Sequence, residues 1–473
     1  MADIGRKAET WGSRFGFIMA AVGSAVGLGN FWRFPYTAGQ NGGGAFILIY
    51  ILCVLLIALP LLMAEYSMGR KSGMSAIEGV QSLARAESRS QNWGIVAWVG
   101  SLTAFFILTF YMVISAWLLA YLLQAVGGDL HGTTAEESAQ NFRNTSAQGD
   151  EQPMSAKWYM LMLLGLFIAA NAFIVGRGVK AGIERAATIL MPLFFVMVLV
   201  VVGFSLANGD VARTAAFIFE PKWEDVGFKT FLAALGQAFF SIGVGVGLMI
   251  TYGAYLDRKT DIPRSSAIIA GSDTFVALIA GFAIFPIVFA AGLDPAAGPG
   301  LFFISMPVAF EAIPGGSVFA IVFFALALFA AFTSSISLME VSVSWLEERQ
   351  GVTRIGAAWG VGFVLFMVGA AYVFSGDYLD FMDFMTEGLL LPLGGLLAAI
   401  FAGWVLSRDM LTSELGESMV MNVWRFLIRW FVPPFIALVL VFGFLDKIQD
   451  QYHVPLPGPL VMLLGPNWTP TAE

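Results

Sequence analysis

Eleven apolar runs, each long enough to cross a bilayer, dominate this chain and leave it little choice of fold. A spanning helix needs roughly 20 mainly apolar residues. The runs fall at 14–36, 44–68, 93–125, 157–175, 184–207, 228–256, 264–292, 315–346, 355–374, 382–406 and 425–446. Those above the minimum length are accommodated by tilt or by protrusion into water. Charged residues make up 12% of the chain and hydrophobic ones 58%. A soluble domain is about a quarter charged, so a solvated surface cannot be built from this supply. Hydrocarbon offers no partner to a free N–H or C=O, which leaves helices to satisfy their own backbones. The expectation is an all-α membrane protein of about eleven transmembrane helices, forming one transmembrane domain over 1–473. The 407–473 segment adds a peripheral helix and a Pro-rich tail, Pro455 to Pro470.

Lys and Arg sort the loops into two sides. Arg14, then Arg70, Lys71, Arg85 and Arg89, then Arg177, Lys180 and Arg185 fall on one side. So do Arg258, Lys259, Arg264, Arg349, Arg354, Arg408, Arg425 and Arg429, while the opposite loops hold far fewer. The positive-inside rule makes the rich side cytoplasmic. The N-terminus is then cytoplasmic and the C-terminus outside, in the plasma (inner) membrane. The longest polar connection, Gly127 to Ala156, reads as an outside loop with room for a short helix. No cleavable signal peptide is visible ahead of the first run.

Several chemistries are excluded as expectations. The net charge of −8 forms no basic patch, so no nucleic-acid partner is expected. Cys53 lies inside an apolar run, and His131 and His453 lie in polar connections, which supports neither a disulfide framework nor a histidine metal centre. No nucleophile–base pair or phosphate loop suggests an enzyme.

Spans 1 and 6 share a feature that points to function. Gly23, Gly27 and Gly29 interrupt the first, and Gly243, Gly245 and Gly247 the sixth. Glycine disfavours a continuous helix, and interrupted spans at equivalent places in two halves mark transporter binding sites. Freed N–H groups at a half-helix N-terminus suit a carboxylate, and freed carbonyls suit a cation. The alternative is a glycine face for close helix packing. Asn30, Arg33 and Pro35 beside the break favour a site, because an arginine in a membrane is costly without a partner.

The run Gly23 to Pro35, the Asn41–Phe46 stretch, Pro60, Glu65, Gly69 and Arg70 closely resemble the neurotransmitter:sodium symporter family. Tyr111, Trp117, Gly236–Ser241, Thr251-Tyr252 and Thr333–Ser335 extend the resemblance in collinear order over nearly the whole chain. It implies the leucine-transporter-type fold of a bacterial amino-acid transporter. That fold is a 5+5 inverted repeat, approximately 14–207 and 228–406, with broken helices 1 and 6. It also implies a sodium-coupled symporter importing L-α-amino acids by alternating access. A sodium-dependent amino-acid sensor that does not transport is the alternative, and a complete set of ion sites and gates argues against it.

The resemblance assigns roles residue by residue. One sodium site is similar to that formed by Ala25, Asn30, Ser241 and Asp273. The other resembles one built from Gly23, Val26, Ala330, Thr333 and Ser334; taken alone, the Thr333–Ser335 hydroxyls could equally bond back to helix carbonyls. Tyr111, with Leu28 and Gly29, looks like the substrate-carboxylate site, and Phe240 like an aromatic lid. Ile107, Ile114, Gly243, Val246 and Leu338 would line the side-chain pocket. Arg33 with Asp383 resembles the outer gate; Trp11, Tyr255 and Glu348 match inner-gate positions. The family's gating arginine has Ala8 in its place, with Arg6 and Lys7 nearby. Gly182 and Pro192 resemble a motif linked to unwinding on inward opening; a simple kink is the alternative.

Substrate and chloride expectations follow from two positions. Monoamine members carry an aspartate where this chain has Gly27, so a substrate with its own carboxylate is implied. Gly243 and Val246 suggest a pocket for larger hydrophobic or aromatic side chains. Asp273 stands where the family usually has asparagine, while the acidic position of the leucine-type member is Ala277. The negative charge that chloride supplies in animal members is thus expected from Asp273, and no chloride is expected.

Overall fold

The computed structural model describes residues 9–130, 134–148, 152–296, 298, 300–375 and 377–452. Arg6, Lys7, Ala8, His131, His453 and the prolines from Pro455 to Pro470 lie outside the described residues. The described chain is helical throughout its length. In order, its elements are α1 (Arg14–Ala25), α2 (Gly29–Gln40), α3 (Gly44–Ser72), α4 (Ala76–Ala86) and α5 (Gln91–Gly127). Then come α6 (Ala135–Ser146), α7 (Met154–Val175), α8 (Val179–Asn208), α9 (Val211–Phe219), α10 (Phe228–Ile242) and α11 (Leu248–Ala254). The remainder are α12 (Ile262–Ala290), α13 (Leu301–Glu311), α14 (Gly316–Gln350), α15 (Arg354–Phe374), α16 (Phe381–Val405), α17 (Arg408–Leu415) and α18 (Met419–Leu445).

Among the described residues nine helices are individually long and apolar enough to span a membrane. The two remaining runs, spans 1 and 6, are the ones expected to be broken at their glycines. α1 and α2 meet at a 43° bend and pass the test only as a pair. α10 and α11, of 15 and 7 residues, are each too short to cross alone. Counting each broken pair as one crossing restores the count of eleven.

The two breaks have different local causes. α1 ends where Val26 turns to an extended ψ of 97°, ahead of Gly27 and Gly29. In the second break Gly243, Gly245 and Gly247 all have positive φ, at 72°, 83° and 70°. A side chain in this left-handed region is strained. At Gly245 there is also no space: a Cβ would lie 2.8 Å from both Gly395 N and Leu391 O of α16. Glu65 of α3 is fully buried and accepts the Gly245 N–H at 2.7 Å. A carboxylate thus takes a donor that the lost helix would otherwise have satisfied.

Packing around the breaks forms the centre of the molecule. α1 lies against α8, α12 and α14; α11 lies against α3; α5 and α14 run along each other. The polar connection after α5 contains α6, started by a capping box in which Thr134 and Glu137 satisfy each other's backbone N–H groups. On the arginine-rich side, Arg70 binds Glu414 at 2.7 Å and the carbonyl of Thr260, which ties α3 to α17 and to the turn before α12.

Candidate functional site

The break between α1 and α2 leaves backbone groups that distant side chains satisfy. Asn30 Oδ1 accepts the Gly27 N–H at 2.9 Å. The Tyr111 hydroxyl, from the middle of α5, accepts the Leu28 N–H at 3.4 Å. Gln237 of α10 donates to the Gly29 carbonyl at 2.8 Å. Ser334 of α14 donates to the carbonyls of Gly23 at 3.3 Å and Ser24 at 3.2 Å. The first break is therefore stitched to α5, α10 and α14 through groups a continuous helix would have used internally.

Beside it, three oxygens converge on the Asn30 amide nitrogen. They are Ser241 Oγ at 3.1 Å, the Asp273 carbonyl at 3.1 Å and Asp273 Oδ1 at 2.8 Å. Ser241 also donates to the Asp273 carboxylate at 2.8 and 2.9 Å, and Tyr50 donates to Asp273 Oδ2 at 3.2 Å. Asp273 is fully buried. The second group expected to hold an ion also lies close together. Ser334 reaches Gly23, Thr333 Oγ1 lies 3.1 Å from the Ala330 carbonyl, and Gly23 faces the Cβ of Thr333. Val26 is buried in the break itself.

A cavity of about 450 Å³, counting all space free of atoms, opens between these groups. Ala25, Leu28, Gly29, Ile107, Tyr111, Phe240, Gly243, Val246 and Leu338 all line it. Ser241 stands behind that wall, in the Asn30–Asp273 cluster. Ile114 instead lines a second, outer cavity of about 890 Å³. Phe240 and Tyr111 border both. Sequence reasoning missed Leu248 and Leu391 in the inner wall, and Tyr50 behind Asp273. No local pattern marks any of the three.

The gate residues bring in partners beyond those expected. Arg33 forms its ion pair with Glu387, and its guanidinium lies 5.0 Å from the centre of the Phe240 ring. Asp383, the residue expected there, sits one turn earlier on the same helix and lines the same outer cavity. At the other end Trp11 packs edge-on against Tyr252 and Tyr255, and its indole donates to the Tyr252 carbonyl at 3.1 Å. Tyr255 donates to Glu340 at 2.7 Å, and Arg354 pairs with Glu340 and with Glu347. Glu348 points elsewhere and accepts the Ser75 N–H, just ahead of α4, at 2.6 Å. A signal for Glu340 and Glu387 existed: an acid inside an apolar span is a functional candidate by default.

Two broken spans around a midplane cavity, closed at each end by aromatic and ionic contacts, define a multi-pass membrane transporter. The comparisons give the particular family. The sodium:neurotransmitter symporter family model matches residues 8–152 and 138–458, and the chain belongs to that family. It is 35% identical to the uncharacterized sodium-dependent transporter YhdH of Bacillus subtilis, over 92% of this chain and 97% of that one. It is 32% identical to an uncharacterized sodium-dependent transporter of Haemophilus influenzae, over 93% of this chain and 99% of the relative. Among solved structures it resembles MhsT in complex with L-phenylalanine, with a TM-score of 0.84 and 36% identity over 92% of this chain and all of the other. The chain is a sodium-coupled transporter with the leucine-transporter-type fold.

Proposed function

We propose that this transporter imports an L-α-amino acid with a large apolar side chain, by alternating access and without chloride. The observation that carries the reading is the lining of the inner cavity. Its wall joins the Leu28 backbone and the Tyr111 hydroxyl, with the Asn30–Ser241–Asp273 cluster behind, to the apolar side chains of Ile107, Val246, Leu248, Leu338 and Leu391. A zwitterion with an apolar tail matches that lining. The similar MhsT structure holds L-phenylalanine, which supports a substrate of this kind. A Cβ at Gly27 would sit 2.5 Å from Ser334 Oγ and 3.1 Å from Tyr111 Oη. A side-chain carboxylate at that position would take the space a substrate carboxylate needs, which favours amino acids over amines.

Two sodium ions complete the reading. Ala25, Asn30, Ser241 and Asp273 form the first ligand set. Gly23, Val26, Ala330, Thr333 and Ser334 form the second. Both sets are all-oxygen, which suits a hard cation. Asp273 supplies the fixed negative charge beside the first ion, so chloride is not needed. Arg33 with Glu387 and Asp383 closes the outer side; Trp11, Tyr255, Glu340 and Arg354 close the inner side, with Glu348 bracing α4. The inverted repeats are 14–207 and 228–406, with the N-terminus cytoplasmic and the C-terminus outside.

Radiolabelled amino-acid accumulation in proteoliposomes tests the proposal. An inward sodium gradient should drive uptake of phenylalanine, leucine or tryptophan in gluconate buffer. Sodium-dependent binding without accumulation would instead identify a sensor, and best uptake of glycine or an amine would overturn the pocket reading.

A further inference from the structure

Arg408, Arg425 and Arg429 form a cationic stripe that the transport reading does not use. Asn422, Arg425 and Arg429 occur at spacings of three and four in α18 and so share one helix face. Arg408, at the start of α17, donates to Asn422 Oδ1 at 3.4 Å and joins that face at its foot. Glu414 of α17 is held by Arg70 and Lys71. Among the described residues none of the three arginines forms an ion pair. Arg425 Nη1 and Arg429 Nε are buried from solvent and make no hydrogen bond. Donors left in that condition are costly unless a ligand takes them.

Aromatic and apolar side chains flank the stripe. The Arg429 guanidinium lies 4.5 Å from the Trp404 ring centre and 5.6 Å from that of Trp430. The two indoles meet edge-to-face at 4.8 Å, and Trp404 Nε1 donates to the Arg429 carbonyl at 3.2 Å. Trp404, Phe426 and Trp430 remain 45%, 61% and 57% exposed. Indoles of this kind sit at the level of lipid headgroups. The arrangement therefore offers paired guanidinium donors beside an acyl-chain surface.

We propose that Arg408, Arg425 and Arg429, with Trp404 and Trp430, bind the phosphodiester headgroup of an anionic phospholipid in the leaflet facing the arginine-rich loops. Guanidinium matches phosphate in a two-bonded geometry, and the exposed rings of Phe426 and Trp430 receive the acyl chains. A second copy of the chain fits this face poorly. A two-fold contact here would set each arginine group against its own like-charged counterpart, with no acid to balance them.

Tryptophan fluorescence of the delipidated protein, titrated with phosphatidylglycerol or phosphatidylcholine carrying brominated acyl chains, tests the site. Each arginine near an anionic lipid contributes about a fivefold preference. Wild type should therefore favour phosphatidylglycerol by well over tenfold, and Arg425→Gln with Arg429→Gln should reduce that preference roughly 25-fold. The double Lys variant should keep much of it, and Trp404→Phe with Trp430→Phe should remove the part of the quenching that the double Gln variant loses. Should the double Gln variant not fold, Arg408→Gln carries the test, because Arg408 is exposed; its preference should fall about fivefold. Equal binding of the two lipids to wild type, or an undiminished preference in a folded Gln variant, overturns the proposal. Displacement of the brominated lipid by millimolar inorganic phosphate would assign the stripe to a free anion and overturn the lipid site.

Discussion

The Glu184 carboxylate, in the first turns of α8, accepts the backbone N–H of Gly12 at 2.5 Å, just ahead of α1. Its other oxygen takes the Ser13 hydroxyl at 3.0 Å, and Ser13 in turn caps α1 through the Gly16 N–H. The tie is reciprocal, since Glu9 accepts the Val179 N–H at 3.3 Å where α8 begins. That beginning is a π-helical turn, Val179–Glu184, which includes Gly182, ten residues before Pro192. Each segment thus satisfies the other's orphan N-terminal donors. Release of α1 and unwinding of α8 should therefore be coupled through these two carboxylates. Glu184→Gln keeps an acceptor but loses the charge-assisted part, about 1–2 kcal/mol. Hydrogen exchange of amides 12–16 and 179–184 should then accelerate together, roughly 5- to 30-fold. Acceleration of one segment alone would refute the coupling.

Tyr111 makes a more local prediction. Its hydroxyl is poised at the Leu28 N–H, where a substrate carboxylate would be received. Tyr111→Phe leaves a charged oxygen short of one donor in a buried site, which costs about 1.5–3 kcal/mol. Substrate affinity, measured by scintillation proximity binding in sodium, should fall between tenfold and a hundredfold. Unchanged affinity in a well-folded variant would remove Tyr111 from the site.

Asp273 carries the proposal that chloride is not needed. It is buried with Asn30, Ser241 and Tyr50 as its hydrogen-bond partners. Asp273→Ser removes the fixed charge beside the first proposed sodium ion while keeping an oxygen. Sodium-driven uptake should drop, and added chloride should recover part of it. Wild-type uptake that collapses in gluconate, or a fully active Asp273→Ser protein without chloride, would contradict this account.

The outer gate yields a comparison of two acids. Arg33 pairs with Glu387, while Asp383 lies a turn earlier along the same cavity. Glu387→Gln should speed substrate dissociation more than Asp383→Asn. Glu387 is the direct ion-pair partner of the Arg33 guanidinium, and breaking a partly buried charge pair on one side leaves the other charge uncompensated. Stopped dissociation assays on both variants check the order, and a larger effect at Asp383 would reverse the assignment.

Several of these residues could be anticipated from the chain itself. Gly243, Gly245 and Gly247 announce a break because consecutive glycines weaken any helix, and all three adopt positive φ. The cavity-lining residues Tyr111, Phe240, Gly243, Val246 and Leu338 came from the resemblance, and one cavity gathers them all. Glu65 sat in a recognised stretch, yet nothing in its neighbours says that it caps Gly245, 180 positions away. Arg33 and Tyr255 were named from the sequence, while the acids they meet, Glu387 and Glu340, were not, although each is a charge inside an apolar run.

The sequence by itself determined the class of molecule. Run lengths and scarce charge demand a helical membrane bundle, because lipid satisfies no backbone group. Glycine content determined where two of its helices break. Tertiary structure alone decided which partner each freed or buried group meets. Tyr50 and Asp273 are 223 positions apart, and Tyr111 reaches Leu28 across 83. An apolar helix presents similar residues on every side, so hydropathy does not say which side faces lipid and which faces a neighbour. That choice is made when helices pack, and it sets Glu387 against Arg33, and Leu391 against the cavity.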